Sequence, residues 1–465
     1  MSNGAVIAAK TSARGGLCAS YGRDGLEEIE PRSRGRQVPS SDRKQTRLFD
    51  DRRRRRVDRP GRRLVSHLPH QGSPPADQPA SAAEGVTVDD RLAGKAKLRV
   101  AVIAPPWLSV PPAGYGGTEA VLDYLCRGLA AAGHDVLLYT TGDSTCPVER
   151  AWTYAAGVGT AQVSPATELA QAMDGYEAAE EWGADVVHDH TICGPVWAQM
   201  RANRPVVTTN HGPFSGDLLR VYRRTATQVP VIAISHHQAS TAQGVPICAV
   251  IHHGIDVDAI GPGGGTGGYA LFLGRMNPDK GVHTAIEVAR RAGIGLKIAA
   301  KMAEPAEQHY FRAQVEPLLG GDIEYLGEVG VSEKYQLLAD ATCLLNPIAW
   351  AEPFGMVMIE ALAAGTPVVA TACGAAPEIV TDGVTGYLRH GVDRLAEAVA
   401  AAATLDRAAC RQDAKRRFSM ARMAADHLGL YRRLTTTYRS GSVCPPQQLV
   451  RYDSSAPLAV AFSTA

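Results

Sequence analysis

The chain has 465 residues, 45% of them hydrophobic, with a net charge of only +1, so it is too long for one ordinary core and about right for two domains. No run approaches an apolar membrane span, no signal-peptide pattern opens the chain, and nine cysteines without a CxxC pair argue for reduced thiols rather than a disulfide framework or zinc site; a cytoplasmic protein is expected. Residues 1–96 hold 19 Lys/Arg against 12 Asp/Glu, a surplus of +7 that leaves −6 for the remainder, which argues against nucleic acid as a partner of the folded part.

In chain order, residues 1–96 carry "DRRRRRVDRPGRR" and "HQGSPPADQPASAAEG" with almost no apolar periodicity, which predicts a disordered basic, proline-rich extension. An arm reading nucleic acid or an anionic surface is the other use of such a run, but it lacks interleaved aromatics. Order begins at "KLRVAVIAPP", with a buried strand over 100–104. A loop "PPWLSVPPAGYGG" follows, then a helical pattern, "TEAVLDYLCRGLAAAGHD", with a glycine stop at Gly133. "VLLYT", "ADVVHDH", "RPVVTTNHG", "PVIAIS" and "ICAVIHHG" read as further strands, and "GPGGGTGG" (261–268) as a flexible hinge. Beyond it "YALFLGR", "LKIAA", "IEYLG", "TCLLNP" and "PVVAT" read as strands. They alternate with helical patterns in "GVHTAIEVARRAG", "EQHYFRAQVEPLLG", "SEKYQLLADA" and "FGMVMIEALAAG".

Such alternation predicts an α/β chain of two doubly wound parallel sheets, residues 97–262 and 263–420, facing a cleft at the carboxyl ends of their strands. Residues 421–438 would form a terminal helix and 439–465 a loose tail.

The chemistry concentrates in "AEPFGMVMIEALAAGTPVV", where Glu352 and Glu360 interrupt an apolar stretch. Burying a carboxylate is unfavourable unless something pairs with it. Pro353 and Gly355 mark the helix start, whose free N–H groups can receive an anion. Carboxylates for hydroxyls beside a helix end for phosphate fit a sugar nucleotide.

The spacing resembles the E-x7-E motif of the retaining glycosyltransferases of family 4, which have the GT-B fold of two Rossmann-like domains. "FLGRMNPDKG", "GYGGTE", "TNHG" and "PEIVTDGVTGYL" are similar to further segments of that family, in the same order, over about residues 97–437. The resemblance implies a hexosyltransferase moving a sugar from a nucleoside diphosphate donor of UDP-glucose or GDP-mannose type to an acceptor hydroxyl. It implies catalytic roles for His211, Glu352, Arg275 and Lys280, with Arg275 and Lys280 offsetting the diphosphate charge. Gly116, Gly117, Pro353, Phe354, Gly355, Met356 and Glu360 would complete the donor site, Glu360 taking the ribose hydroxyls. Glu119, His190 and Ser235 are placed on the acceptor side. No cofactor and no metal are expected; His188, Asp189 and His190 look like ligands but lack a further one. The partners would be the nucleotide sugar and an acceptor, whether small molecule, glycan or lipid, with no nucleic acid. An epimerase or hydrolase of nucleotide sugars on the same fold is the alternative. The basic amphipathic "DAKRRFSMARMAADHLGLYRRL" could lie on a membrane surface, giving peripheral contact. The resemblance implies instead a helix packed back across both domains.

Overall fold

The computed structural model describes residues 96–159 and 164–440, all within one compact unit, Glu84–Ala465. The expected extension over 1–96, but for its last residue, and the expected tail from 441 on lie outside the described residues.

Two all-parallel sheets carry the fold. The first contains β1 (Arg99–Ile103), β2 (Asp135–Thr140), β3 (Glu149–Trp152), β4 (Val186–Asp189), β5 (Val206–Thr209), β6 (Val231–Ala233) and β7 (Ile247–Val250), in the order β3-β2-β1-β4-β5-β6-β7. The second contains β8 (Tyr269–Arg275), β9 (Gly295–Lys301), β10 (Ile323–Gly327), β11 (Cys343–Asn346), β12 (Val368–Thr371) and β13 (Gly386–Arg389), in the order β10-β9-β8-β11-β12-β13. The central strands are runs of β-branched and aliphatic residues without alternation, as a sheet covered on both faces requires. The strand order reverses between β1 and β4 and again between β8 and β11. A crevice opens at each reversal, where loops diverge to opposite faces.

β3 escaped the sequence reading because it is a short edge strand with mostly exposed side chains, so no apolar pattern marks it. The helix expected from "EQHYFRAQVEPLLG" is broken into Pro305–Tyr310, a wide turn Phe311–Val315 and a tight turn Glu316–Leu318. Pro317 lacks the N–H a continuous helix needs there.

The segment expected to be a flexible hinge is instead laid onto the second domain. Gly263, Gly265 and Gly267 donate their N–H groups to Ala364, Ala339 and Asp340 carbonyls at 2.9–3.1 Å. A Cβ on Gly263 would lie 2.1 Å from the Ala339 carbonyl oxygen. The glycines serve close approach rather than freedom.

The terminal pattern is two helices, Arg407–Phe418 and Met420–Arg439, parted at Ser419, whose hydroxyl caps the second. The first buries Cys410, Ala414 and Phe418 in the core of the second sheet. The second buries Met423, Leu428, Tyr431 and Leu434 against Val100, Leu122 and Leu125 of the first. At the crossing, Ile255 and the Phe418–Met420 turn exchange backbone hydrogen bonds of 2.9 and 2.8 Å, so the two connecting segments meet each other.

Candidate active site

The strand reversals place the motifs. The glycine loop follows β1, the segment to Lys280 begins at Arg275, the last residue of β8, and Trp350–Gly355 follows β11. Beyond β11 the chain enters α1 (Met356–Ala363), with Gly355 at its N-cap in a positive-φ conformation, φ 140. Gly374 lets a second loop lie against Glu352, since a Cβ there would come within 2.5 Å of the Glu352 backbone N and O. The Ala375 N–H donates to the Glu352 carbonyl at 3.0 Å.

Each of the two motif glutamates meets a lysine. Glu352 is ion-paired with Lys280, their side chains 18% and 11% exposed. Glu360 is ion-paired with Lys334 at 2.7 Å and is 7% exposed. Lys334 was missed by the sequence reading. Its signal, a lysine followed by an aromatic on a helix of unremarkable polarity, says nothing about a glutamate 26 positions on. Arg275 stands at the end of β8, its Nε buried without a hydrogen-bond partner among the described residues.

Tyr115 also escaped notice. Its ring approaches Arg275 and Lys301, and its N–H donates to Glu328 Oε1 across the cleft at 2.8 Å. The two expected glycines differ. A Cβ on Gly116 would strike Pro112 Cβ at 2.7 Å, so its own loop requires glycine, whereas a Gly117 Cβ would meet nothing among the described residues within 4 Å beyond its chain neighbours and its own helix backbone. Phe354 is buried in the second core, and Met356 packs against both cores.

The three acceptor-side expectations fall on buried side chains. Ser235 is fully buried and its hydroxyl accepts from Gln238 N at 2.9 Å, capping the helix His236–Thr241. It has no surface for a substrate. Glu119 is 3% exposed beneath the glycine loop, and burial pushes its carboxyl up to about 7. The strand-end histidines do not line an open wall either. His188 is buried between Tyr431 Oη at 2.7 Å and Thr209 Oγ1 at 2.8 Å, and His190 is 5% exposed. Among the described residues no group of three or more His, Cys, Asp or Glu side chains is arranged to hold a metal ion.

His211 belongs to a run of stacked rings. His190 Nδ1 and His211 Nε2 are 2.9 Å apart. His211 stacks on His253 at 5.3 Å, and His253 meets the edge of Phe354 at 5.0 Å. The run therefore joins the first sheet to the donor-side loop. Burial pushes His211 down to about 4 and holds His190 and His253 well below the ordinary histidine range, so all three are neutral. A clasp nearby was also unforeseen: the Glu378 carboxylate accepts from His236 N, His237 N and His252 Nε2 at 2.6–2.8 Å, tying the second domain to the first.

Two family models match this chain: Glycosyltransferase Family 4 over residues 115–259 and Glycosyl transferases group 1 over residues 264–417, together more than half of it. The chain belongs to the family 4 glycosyltransferases, and its fold is GT-B. It is 26% identical over 284 residues to a phosphatidyl-myo-inositol mannosyltransferase of Mycobacterium leprae, covering 54% of this chain and 74% of that one. It is 34% identical over 185 residues to an alpha-maltose-1-phosphate synthase of Mycobacterium tuberculosis, 36% of this chain and 48% of that one. Among solved structures it is similar to AviGT4, a glycosyltransferase involved in avilamycin A biosynthesis, with 26% identity and a TM-score of 0.56 over 73% of this chain and 98% of that one. No helix among the described residues is long and apolar enough to cross a membrane.

Proposed function

We propose that this glycosyltransferase moves a hexose from UDP-glucose or GDP-mannose to an acceptor hydroxyl with retention of configuration and without a metal ion. The observation that carries the reading is the convergence of Arg275, the Lys280–Glu352 pair and the start of α1 beyond the carboxyl ends of β8 and β11. Arg275 and Lys280 would take the diphosphate and offset the charge it gains on leaving. Binding the donor would exchange the Lys280 contact of Glu352 for sugar hydroxyls. Glu360, ion-paired with Lys334, would take the ribose hydroxyls. No side chain of the site is assigned as a covalent nucleophile. The acceptor oxygen would attack from the face the diphosphate leaves, its proton passing to the departing phosphate oxygen. His211 would sit beside the reacting sugar. The acceptor would bind on the first domain; a small molecule, a glycan end or a lipid headgroup would each supply the hydroxyl.

Calorimetric titration with UDP-glucose and GDP-mannose tests the reading. One donor should bind, and Glu352→Ala or Lys280→Ala should each weaken it about 10- to 100-fold, the loss of one charge-assisted hydrogen bond. Binding indifferent to both substitutions would refute the assignment.

A further inference from the structure

The His190–His211 contact constrains where protons sit. Two neutral imidazoles 2.9 Å apart, ring nitrogen to ring nitrogen, share one hydrogen. If His211 supplied it from Nε2, His190 would have to carry its own hydrogen on Nε2. That atom is buried and has no acceptor among the described residues. If His190 supplies the hydrogen from Nδ1, its Nε2 is a bare lone pair. A buried N–H without an acceptor is the rarer and costlier of the two arrangements.

We propose that His190 is a positioning residue that donates from Nδ1 to His211 Nε2 and thereby holds His211 as the neutral tautomer with hydrogen on Nδ1. His211 then presents the sugar with a hydrogen-bond donor and is not a base. This role at the donor rests on the function proposed above; the tautomer itself rests on the contact and burial of the two histidines.

The surroundings agree. The backbone under His211 is clamped, because Gln238 Nε2 donates to the Asn210 and Gly212 carbonyls at 2.9 and 2.6 Å. Rotation of the ring is therefore left to its partners. His190 is held by its N–H to the Ile103 carbonyl at 2.9 Å and by the His188 ring 3.9 Å away. The titratable groups facing the pair are His188, His253 and His427, and among the described residues no carboxylate is a hydrogen-bond partner of the pair that would favour an imidazolium. Asp189 points to the other face of β4, bonded to Tyr176 Oη at 2.6 Å.

The test is a long-range proton–nitrogen correlation spectrum of the full chain labelled with 15N-histidine, which separates protonated from bare ring nitrogens. The His211 pattern is identified by its disappearance in His211→Gln. Expected is hydrogen on Nδ1 of His211, retained in His190→Asn, whose amide N–H replaces the Nδ1 donor, and lost to a tautomer mixture in His190→Leu. Turnover of whichever donor binds, UDP-glucose or GDP-mannose, should fall about tenfold or more in His190→Leu through kcat rather than KM, and recover in His190→Asn. Hydrogen on Nε2 of His211 in the unsubstituted chain overturns the proposal, as does an unchanged pattern in His190→Leu. The unsubstituted spectrum decides even if His190→Leu does not fold. If neither donor binds, the proposed function fails while the tautomer still reads true or false. If a donor binds and Nε2 carries the hydrogen, only the role of His190 fails.

Discussion

The two motif glutamates were visible in the sequence because a carboxylate inside an apolar stretch demands an explanation. Their lysines were not, because Lys280 and Lys334 lie 72 and 26 positions away and only the packing of separate strand–helix units brings them near. Lys334 matters without any ligand. Glu360 is 7% and Lys334 24% exposed, so removing the lysine strands a buried carboxylate. Lys334→Met should destabilise the chain by about 3 kcal/mol, and adding Glu360→Gln should restore a large part of it. Thermal unfolding of the two variants measures this; equal melting temperatures for Lys334→Met and the unsubstituted chain would contradict it. Ser235 shows the converse: a hydroxyl at a strand end fits a substrate contact or a helix cap equally well until its burial is known.

At the scale of elements, most strands of both sheets were legible as short apolar runs and several of the helices between them as apolar stripes, whereas the edge strands β3 and β13 were not. The glycine run 261–268 was misread, since composition alone does not distinguish a free linker from a strand of backbone pressed onto its neighbour. The helix Arg407–Phe418 completes that packing: Arg407 donates to the Gly263, Ala339 and Ala341 carbonyls at 2.8–3.1 Å, and Arg411 reaches the Val257 and Ile260 carbonyls. Gly263→Ala should therefore destabilise by about 2 kcal/mol or more, because the Cβ meets backbone that cannot yield. Gly264→Ala, whose Cβ meets only a Thr266 methyl at 3.5 Å, should stay within about 0.5 kcal/mol. Denaturant unfolding of the pair separates a packed segment from a free one, which would tolerate both changes alike.

For the whole molecule, the buried histidines at the domain junction set the response to acid. His211 and His427 are depressed to about 4, and His188, His190 and His253 are held well below 6.5. The unfolded chain therefore binds protons on these groups that the folded chain refuses. Their effect is nil above the unfolded value of 6.5, and stability is lost as pH falls from there through about 4. Glu119 and Asp189, raised to about 7 and about 6, act the other way over much of the same window, and so does Glu168, also raised; the histidines outnumber them. The melting temperature should fall between about pH 7 and about pH 5. A melting temperature flat or rising on acidification would mean that these histidines are charged in the fold.

By itself the sequence determined the class of fold, the family and the order of the motifs, because strand and helix periodicity, helix-start residues and the E-x7-E spacing are local properties of the chain. Tertiary structure alone decided which charges neutralise each other, which strand-end histidines are exposed and how the domains are tied. Those outcomes depend on side chains far apart in sequence sharing one desolvated space, where burial decides both partner and protonation. The stacked run from His190 to Phe354 draws on four separate segments, and no spacing in the sequence records it.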